Sequence, residues 1–348
     1  MSRGAGPGGE GPPDAVEQVV RQAWGATLGT DTAGPHDDFF AAGGSSLAAV
    51  RLVGDIRRAL RTDVPLGALF EAPTIDGLAR LIRQRSAPST SYVRLRSAER
   101  DTTFVFVHPV GGSVSGYTDV VAALPPGAGC VGLQARGLDP RCEPHPDIPS
   151  MAADYLAELS ARHRPEDLVL GGYSFGGLVA FEMAHQLGRA GRPPRGVVLL
   201  GTYFPQRDVT RAGRIETLSA LVGAIYRTPV DPRALDGLDD DAVVGALAAA
   251  ACGNASLPEQ YRHAGLRRLI EVLARNLAMV EAFDVPVIEG QVHLVRPESP
   301  EPRDVPTAWR RHARGGAVAH DIGGEHNALM SQPHGSRIAR LLAELWPA

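Results

Sequence analysis

Leu168-Val-Leu-Gly-Gly-Tyr-Ser-Phe-Gly-Gly-Leu-Val-Ala-Phe181 is the stretch from which the fold is read. Its apolar run ends at Gly172 and helical patterning resumes near Gly177, which predicts a strand, a sharp turn and a helix. The turn holds Gly172-Tyr173-Ser174-Phe175-Gly176, a G-x-S-x-G in the context that a nucleophile elbow requires. A serine on so sharp a turn has a strained backbone, and the positions two residues away must be small; Gly172 and Gly176 meet that need. The following helix offers unpaired N–H groups and a positive dipole end beside the hydroxyl, which suits a developing oxyanion. Five such residues alone also fit an ordinary glycine-rich turn, so the weight falls on partners elsewhere in the chain.

Around this stretch, strand and helix patterns alternate, which predicts an α/β fold with a parallel sheet. Short apolar strands are expected at residues 103–107, 130–133, 196–200 and 291–295, with a weaker final one at 318–322. Ser150 is the expected cap of a helix carrying Met151, Tyr155, Leu156 and Leu159, and Gly191 the expected stop of the helix after the elbow. The interval between Leu200 and Val292 is far longer than an ordinary connection. Its amphipathic stretches, 215–226, 242–251 and 266–283, predict a helical lid over about residues 204–287, or else a merely decorative subdomain.

The first 13 residues are Gly/Pro-rich and predict disorder. Residues 14–84 then read as a small helical bundle. Asp14 and Glu17 have capping-box spacing, a second helix follows through Leu47, Val50, Val53, Ile56 and Leu60, and Thr74 caps another. Residues 85–98 read as a linker and 99–348 as the second domain.

The chain has 348 residues, 44% hydrophobic, with a formal net charge of -4. Nothing in that balance points to nucleic acid or an anionic membrane surface. Cys130, Cys142 and Cys252 are scattered without metal or redox spacing, and a reducing cytoplasmic setting is expected. No apolar signal core or membrane-length segment is found.

Residues 14–84 resemble the peptidyl carrier domain of nonribosomal peptide synthetases. The likeness lies in Phe39-Phe40, then Gly43-Gly44-x-Ser46-Leu47, then Phe70-Glu71-x-Pro73-Thr74-Ile75. It implies an acyl-carrier-like four-helix bundle and a 4′-phosphopantetheine on Ser46. A serine opening a helix suits an anionic phosphodiester, and Gly43 and Gly44 would let a modifying enzyme approach the backbone. The plainer role for Ser46 is that of an N-cap.

The C-terminal part resembles the thioesterase domain of peptide and polyketide synthases, an α/β-hydrolase. The likeness lies in His108-Pro109-x-Gly111-Gly112, Gln134-Ala-Arg-Gly137, the elbow, and a late Gly324-x-His326. Ser174 is the expected nucleophile and needs a base. His326 lies after the last strand, where hydrolases place theirs, whereas His108 and His293 read as structural. The backbone N–H groups of Phe175 and Val110 are the expected oxyanion donors. The acid is open: the family often has aspartate after the strand ending Leu199-Leu200, but here stands Gly201. Glu298, Glu301 and Asp304 are candidates, and a Ser–His dyad is the remaining option.

The resemblance implies terminal release of a peptidyl thioester, by hydrolysis or macrocyclisation, with upstream synthetase modules and a phosphopantetheinyl transferase as partners. No metal, nucleic acid or membrane is implied. Two other readings stand beside it: a polyketide-type carrier with its thioesterase, and a docking unit whose hydrolase part is degenerate.

Overall fold

A computed structural model describes residues 15–30, 32–60, 64, 67–84, 90–97, 102–139, 142–205, 210–226, 228–252, 264–297 and 305–347. The expected N-terminal disorder, the Asp14 cap, and Glu298, Glu301 and Asp304 lie outside these residues. The chain divides into two compact units, 1–88 and 89–348.

In the first unit, four helices form: α1 (Ala15–Leu28), α2 (Ser46–Leu60), α3 (Gly67–Glu71) and α4 (Ile75–Gln84). Their apolar stripes close on one core in which Trp24, Leu52, Ile56, Ile75 and Leu78 are fully buried. Phe39 meets Trp24 edge-on at 5.1 Å, and Phe40 stacks on Phe70 at 4.9 Å, so the aromatic pair anchors the α1–α2 connection. The short α3 does not show in the periodicity, because five residues hold little more than one helical turn.

The second unit is built on a seven-stranded sheet of order β1-β3-β2-β4-β5-β6-β7. The strands are β1 (Tyr92–Arg96), β2 (Thr103–Val107), β3 (Gly129–Leu133), β4 (Leu168–Tyr173), β5 (Gly196–Leu200), β6 (Val292–Arg296) and β7 (Ala317–Asp321). All pair in parallel except β1, which runs antiparallel along β3. Here the structure corrects the expected linker over 85–98, since residues 92–96 are an edge strand. Arginines alternating with Val93 and Leu95 suit an edge, where one strand border faces solvent.

Helices cover both faces of the sheet. On β2, Val105 and Val107 face the core shared with α6 (Ile148–Ser160) and α7 (Phe175–Arg189), while Phe106 stacks at 4.9 Å on Tyr117, just before α5 (Thr118–Ala123). A strand buried on both faces has no polar alternation, which is why 103–107 reads as an unbroken apolar run. Asp147, not Ser150, caps α6: its carboxylate accepts the Ser150 N–H at 2.7 Å, and Pro149 fits in the first turn, where no N–H is needed.

Between β5 and β6 lie α8 (Arg211–Tyr226), α9 (Asp240–Cys252) and α10 (Ala264–Ala282). They share a core of their own that includes Val222, Leu247 and Ile270. After β6 come α11 (Val305–Arg310), whose Trp309 is buried against Phe181, then β7 and α12 (His334–Leu345). No helix among the described residues is long and apolar enough to cross a membrane.

Candidate active site

Ser174 stands between the last residue of β4 and the first of α7 at φ 55°, ψ −119°. It is the one non-glycine residue at positive φ among the described residues. Such a conformation costs on the order of 1–3 kcal/mol and persists only where the surroundings enforce it. Here the enforcement is steric and local. A Cβ on Gly172 would lie 2.2 Å from the Gly176 carbonyl carbon, one on Gly176 2.2 Å from the Val107 oxygen, and one on Gly177 2.0 Å from Thr202 Oγ1. The glycines let α7 start against the ends of β2 and β5. The Ser174 N–H donates to Leu200 O at 2.9 Å, and its hydroxyl takes no part in capping α7.

His108 and Pro109 follow β2. His108 is fully buried, and burial pushes its pKa down to about 4, so the ring is neutral. A carbonyl can only accept, so the 2.8 Å contact to Pro109 O fixes the proton on Nδ1 and leaves Nε2 facing the Tyr155 hydroxyl at 2.9 Å. Pro109 O also accepts the Gly112 N–H at 2.9 Å. In a trans peptide the C=O and N–H point opposite ways, so the Val110 N–H is directed away from the His108 ring. His108 is thus structural, and what it holds is the expected donor peptide. Among the described residues no hydrogen bond uses the N–H of Val110 or Phe175.

His326 opens a single 3-10 turn, 326–328, after β7. Gly323 and Gly324, at φ 85° and 81°, bend the chain to reach it. Its ring packs against those of Tyr173, at 4.9 Å, and Tyr203, at 5.0 Å, and the Tyr173 hydroxyl donates to the His326 carbonyl at 2.8 Å. The residue before the candidate nucleophile therefore anchors the backbone of the candidate base. Neither tyrosine's role is legible in the sequence, because the contacts are long-range, 153 residues for Tyr173. Burial holds the His326 pKa below the usual imidazole value.

Gly201 follows β5 at φ 53°, and a Cβ placed there would stand 3.2 Å from His326 Nδ1. That nitrogen is buried and has no hydrogen-bond partner. The position where a family aspartate is expected thus faces the imidazole and carries no side chain. Ser174, Gly201 and His326 all sit at the carboxyl end of the sheet. No hydrogen bond joins the Ser174 hydroxyl to the His326 ring, a contact that in ligand-free enzymes is often loose and tightens with substrate.

In the first unit, Ser46 is the first residue of α2. The N-cap role goes to Ser45, whose Oγ accepts the Ala48 N–H at 3.2 Å. Gly43 has φ 94° with open space around it. Gly44 is required for an internal reason: a Cβ there would lie 2.3 Å from the Phe39 ring. The approach of a modifying enzyme therefore explains Gly43 better than Gly44. Ser46 thus opens a 15-residue helix whose cap is supplied by its neighbour.

The family model described as thioesterase domain matches residues 102–344, and that of the phosphopantetheine attachment site matches 18–82. A dimodular nonribosomal peptide synthase of Bacillus subtilis (strain 168) is 29% identical over 343 residues, 96% of this chain and 14% of that protein. The chain thus spans a small part of the curated relatives it matches. Among solved structures, holo-AB3403, a four-domain nonribosomal peptide synthetase bound to AMP and glycine, aligns with TM-score 0.68 and 22% identity over 100% of this chain and 27% of that one. The Vlm2 thioesterase domain bound with a dodecadepsipeptide aligns with TM-score 0.56 and 23% identity over 73% of this chain and 96% of that one. At these identities the structures show the fold. The first unit is a carrier region that bears a covalently attached 4′-phosphopantetheine.

Proposed function

The chain belongs to the thioesterase domain family, and from that premise we propose that it releases a peptidyl group held as a thioester, with Ser174 as nucleophile and His326 as base. The observation that carries this reading is the Ser174 backbone, strained into the elbow conformation with its hydroxyl unused by the fold. Ser46 is the proposed attachment residue for 4′-phosphopantetheine, which supplies the terminal thiol on which an acyl group is delivered.

His326, kept neutral by burial, takes the Ser174 proton as the oxygen attacks the thioester carbonyl. The N–H groups of Val110 and Phe175 receive the oxyanion, each contributing about 3 kcal/mol in sites of this kind. As the C–S bond breaks, His326 returns the proton to the departing thiolate. In the second half, His326 takes a proton from water, or from an amine or hydroxyl of the acyl chain itself, as that group attacks the ester carbonyl, and returns it to Ser174 Oγ as the acyl–oxygen bond breaks. The product is then an acid, or a lactam or lactone. Helices α8, α9 and α10 serve as the lid that shapes the acyl pocket. A carrier of residues 14–84 presents the substrate to a hydrolase that begins by β1, and tethering raises its effective concentration. Upstream synthetase modules would load it and a phosphopantetheinyl transferase would modify it.

The Ser174→Ala protein, given a labelled acyl thioester, should form no acyl-enzyme, while wild type carries the label on the peptide containing residue 174. A label that persists in the variant would sink the assignment. One observation favours a second reading, a hydrolase unit that no longer turns over: the bare Gly201 opposite the unpartnered His326 Nδ1. Absence of label on wild type would support it.

A further inference from the structure

We propose that Asn276, on α10, is a positioning residue for the oxyanion hole; the inference rests on the role of Val110 given above. The residue is 2% exposed, and its amide nitrogen donates to the Val110 carbonyl at 2.8 Å, across 166 residues of sequence. The geometry explains why such an anchor is needed. Residue 110 sits between two peptide planes. The first, Pro109–Val110, is held through Pro109 O by His108 Nδ1 and by the Gly112 N–H. The second, Val110–Gly111, begins at a carbonyl that Asn276 holds, and it runs into a glycine with no atom within 4 Å of where a Cβ would be. Nothing local stiffens that second plane. The Val110 N–H belongs to the first plane, and with Asn276 in place that plane is held at both ends, at the Pro109 oxygen and, through the anchored Val110 carbonyl, at the Val110 Cα. Without it, the Val110 carbonyl loses that partner and the second plane is free to turn at Gly111.

Asn276 does not reach the loop by accident of one rotamer. Arg268, Val272 and Asn276 recur every four residues and so share one face of α10. Arg268 donates to Gly137 O at 2.6 Å and Cys142 O at 2.8 Å, and a Cβ on Gly112 would fall 2.8 Å from Val272. This face packs α10 down on the loops after β2 and β3. The insertion between β5 and β6 is therefore not uniform. A swing of α10 would drag the Val110 carbonyl with it, so any lid motion that leaves the oxyanion loop intact belongs to α8 and α9.

The test uses the full chain with Asn276→Leu, which keeps the branching at Cγ and removes the donor, and Asn276→Asp, which keeps the shape and removes the amide donor. Acylation by a small acyl thioester is followed beside the affinity for a boronic acid that forms a tetrahedral adduct on Ser174. Both variants should acylate about 10- to 100-fold more slowly with KM within roughly twofold of wild type, since displacing a donor acts on the transition state. Affinity for the boronate should fall in the same proportion. A purely structural role would lower the melting temperature and leave that KM-against-kcat split and the boronate affinity unmoved. Folded variants with wild-type rate or wild-type boronate affinity would overturn the inference. Should both fail to fold, Asn276→Ser carries the same test, and the absence of any split there would overturn it. If wild type itself forms no adduct at Ser174, the nucleophile assignment falls, and the clamp with it; an adduct in wild type and an equal one in Asn276→Leu removes the clamp alone.

Discussion

Gly201→Asp would set a carboxyl group against the unpartnered nitrogen of His326. At position 201 a Cβ lies 3.2 Å from Nδ1 and 3.3 Å from Cε1 of His326, and 3.0 Å from Leu329 Cδ2. The ring and the leucine must therefore give by roughly a few tenths of an ångström, which an imidazole at the tip of a loop can do. The backbone at φ 53° is left-handed, which costs a non-glycine residue about 1–2 kcal/mol and is best tolerated by Asn and Asp. That strain is present in ground and transition states alike, so it falls on stability and not on rate. The electrostatic gain acts on the rate. A carboxylate within reach raises an imidazole pKa by about one to three units, which is about 1.4–4 kcal/mol in favour of the imidazolium formed during attack. The acid of a triad is worth up to about four powers of ten; with part lost to imperfect fit, acylation should accelerate by roughly ten- to a thousandfold. Single-turnover acylation by a small acyl thioester, measured across the range in which imidazole titrates, reads both effects. His326 has a lowered pKa in wild type, so the acidic limb of its profile lies below the ordinary imidazole value. The aspartate should move that limb to higher pH. Gly201→Asn, equal in shape and uncharged, separates sterics from charge and should give neither full effect. A folded Gly201→Asp protein with unchanged rate and an unmoved limb would refute the reasoning, because it would mean the ring is oriented from elsewhere.

Two further outcomes follow from the same geometry. His108 is neutral when folded, with a pKa near 4, against 6.5 unfolded. The folded state then binds fewer protons than the unfolded one between those values, so stability is complete above 6.5 and declines as pH falls toward 4. The loss is about 3 kcal/mol at 1.36 kcal/mol per unit; denaturant titrations at neutral and acid pH should show a smaller decline for His108→Asn than for wild type, and equal declines would count against a neutral buried ring. On the carrier, Ser46→Ala should abolish the mass gain on treatment with a phosphopantetheinyl transferase and coenzyme A, whereas Ser45→Ala should still gain it and lose about 1 kcal/mol of carrier stability with its cap. A mass gain retained by Ser46→Ala would move the attachment elsewhere.

Much of this was legible in the chain because it is local. The elbow is five consecutive residues with an obligatory conformation, and the buried strands 103–107 and 196–200 are short apolar runs whose reading needs no partner. The carrier signature is likewise a set of short motifs, each making a turn or a helix start. Where local signals misled, a competing local option was chosen by packing. Ser150 and Asp147 could both cap α6, and Asp147 does. The Ser-, Pro- and Thr-containing run over 85–91 suggests a linker carried on through 98, until pairing with β3 makes 92–96 an edge strand and gives Val93 a core.

Sequence alone determined the order of the two units, the elbow, and the absence of a carboxylate at position 201, since each follows from residue types at fixed short spacing. Tertiary structure decided what those features face: His326 Nδ1 against Gly201, the two tyrosine rings packed against that imidazole, and the Asn276 amide on the Val110 carbonyl. Those contacts join strands and helices more than a hundred residues apart. Their geometry is set by sheet order and side-chain packing, neither of which leaves a periodic trace along the chain.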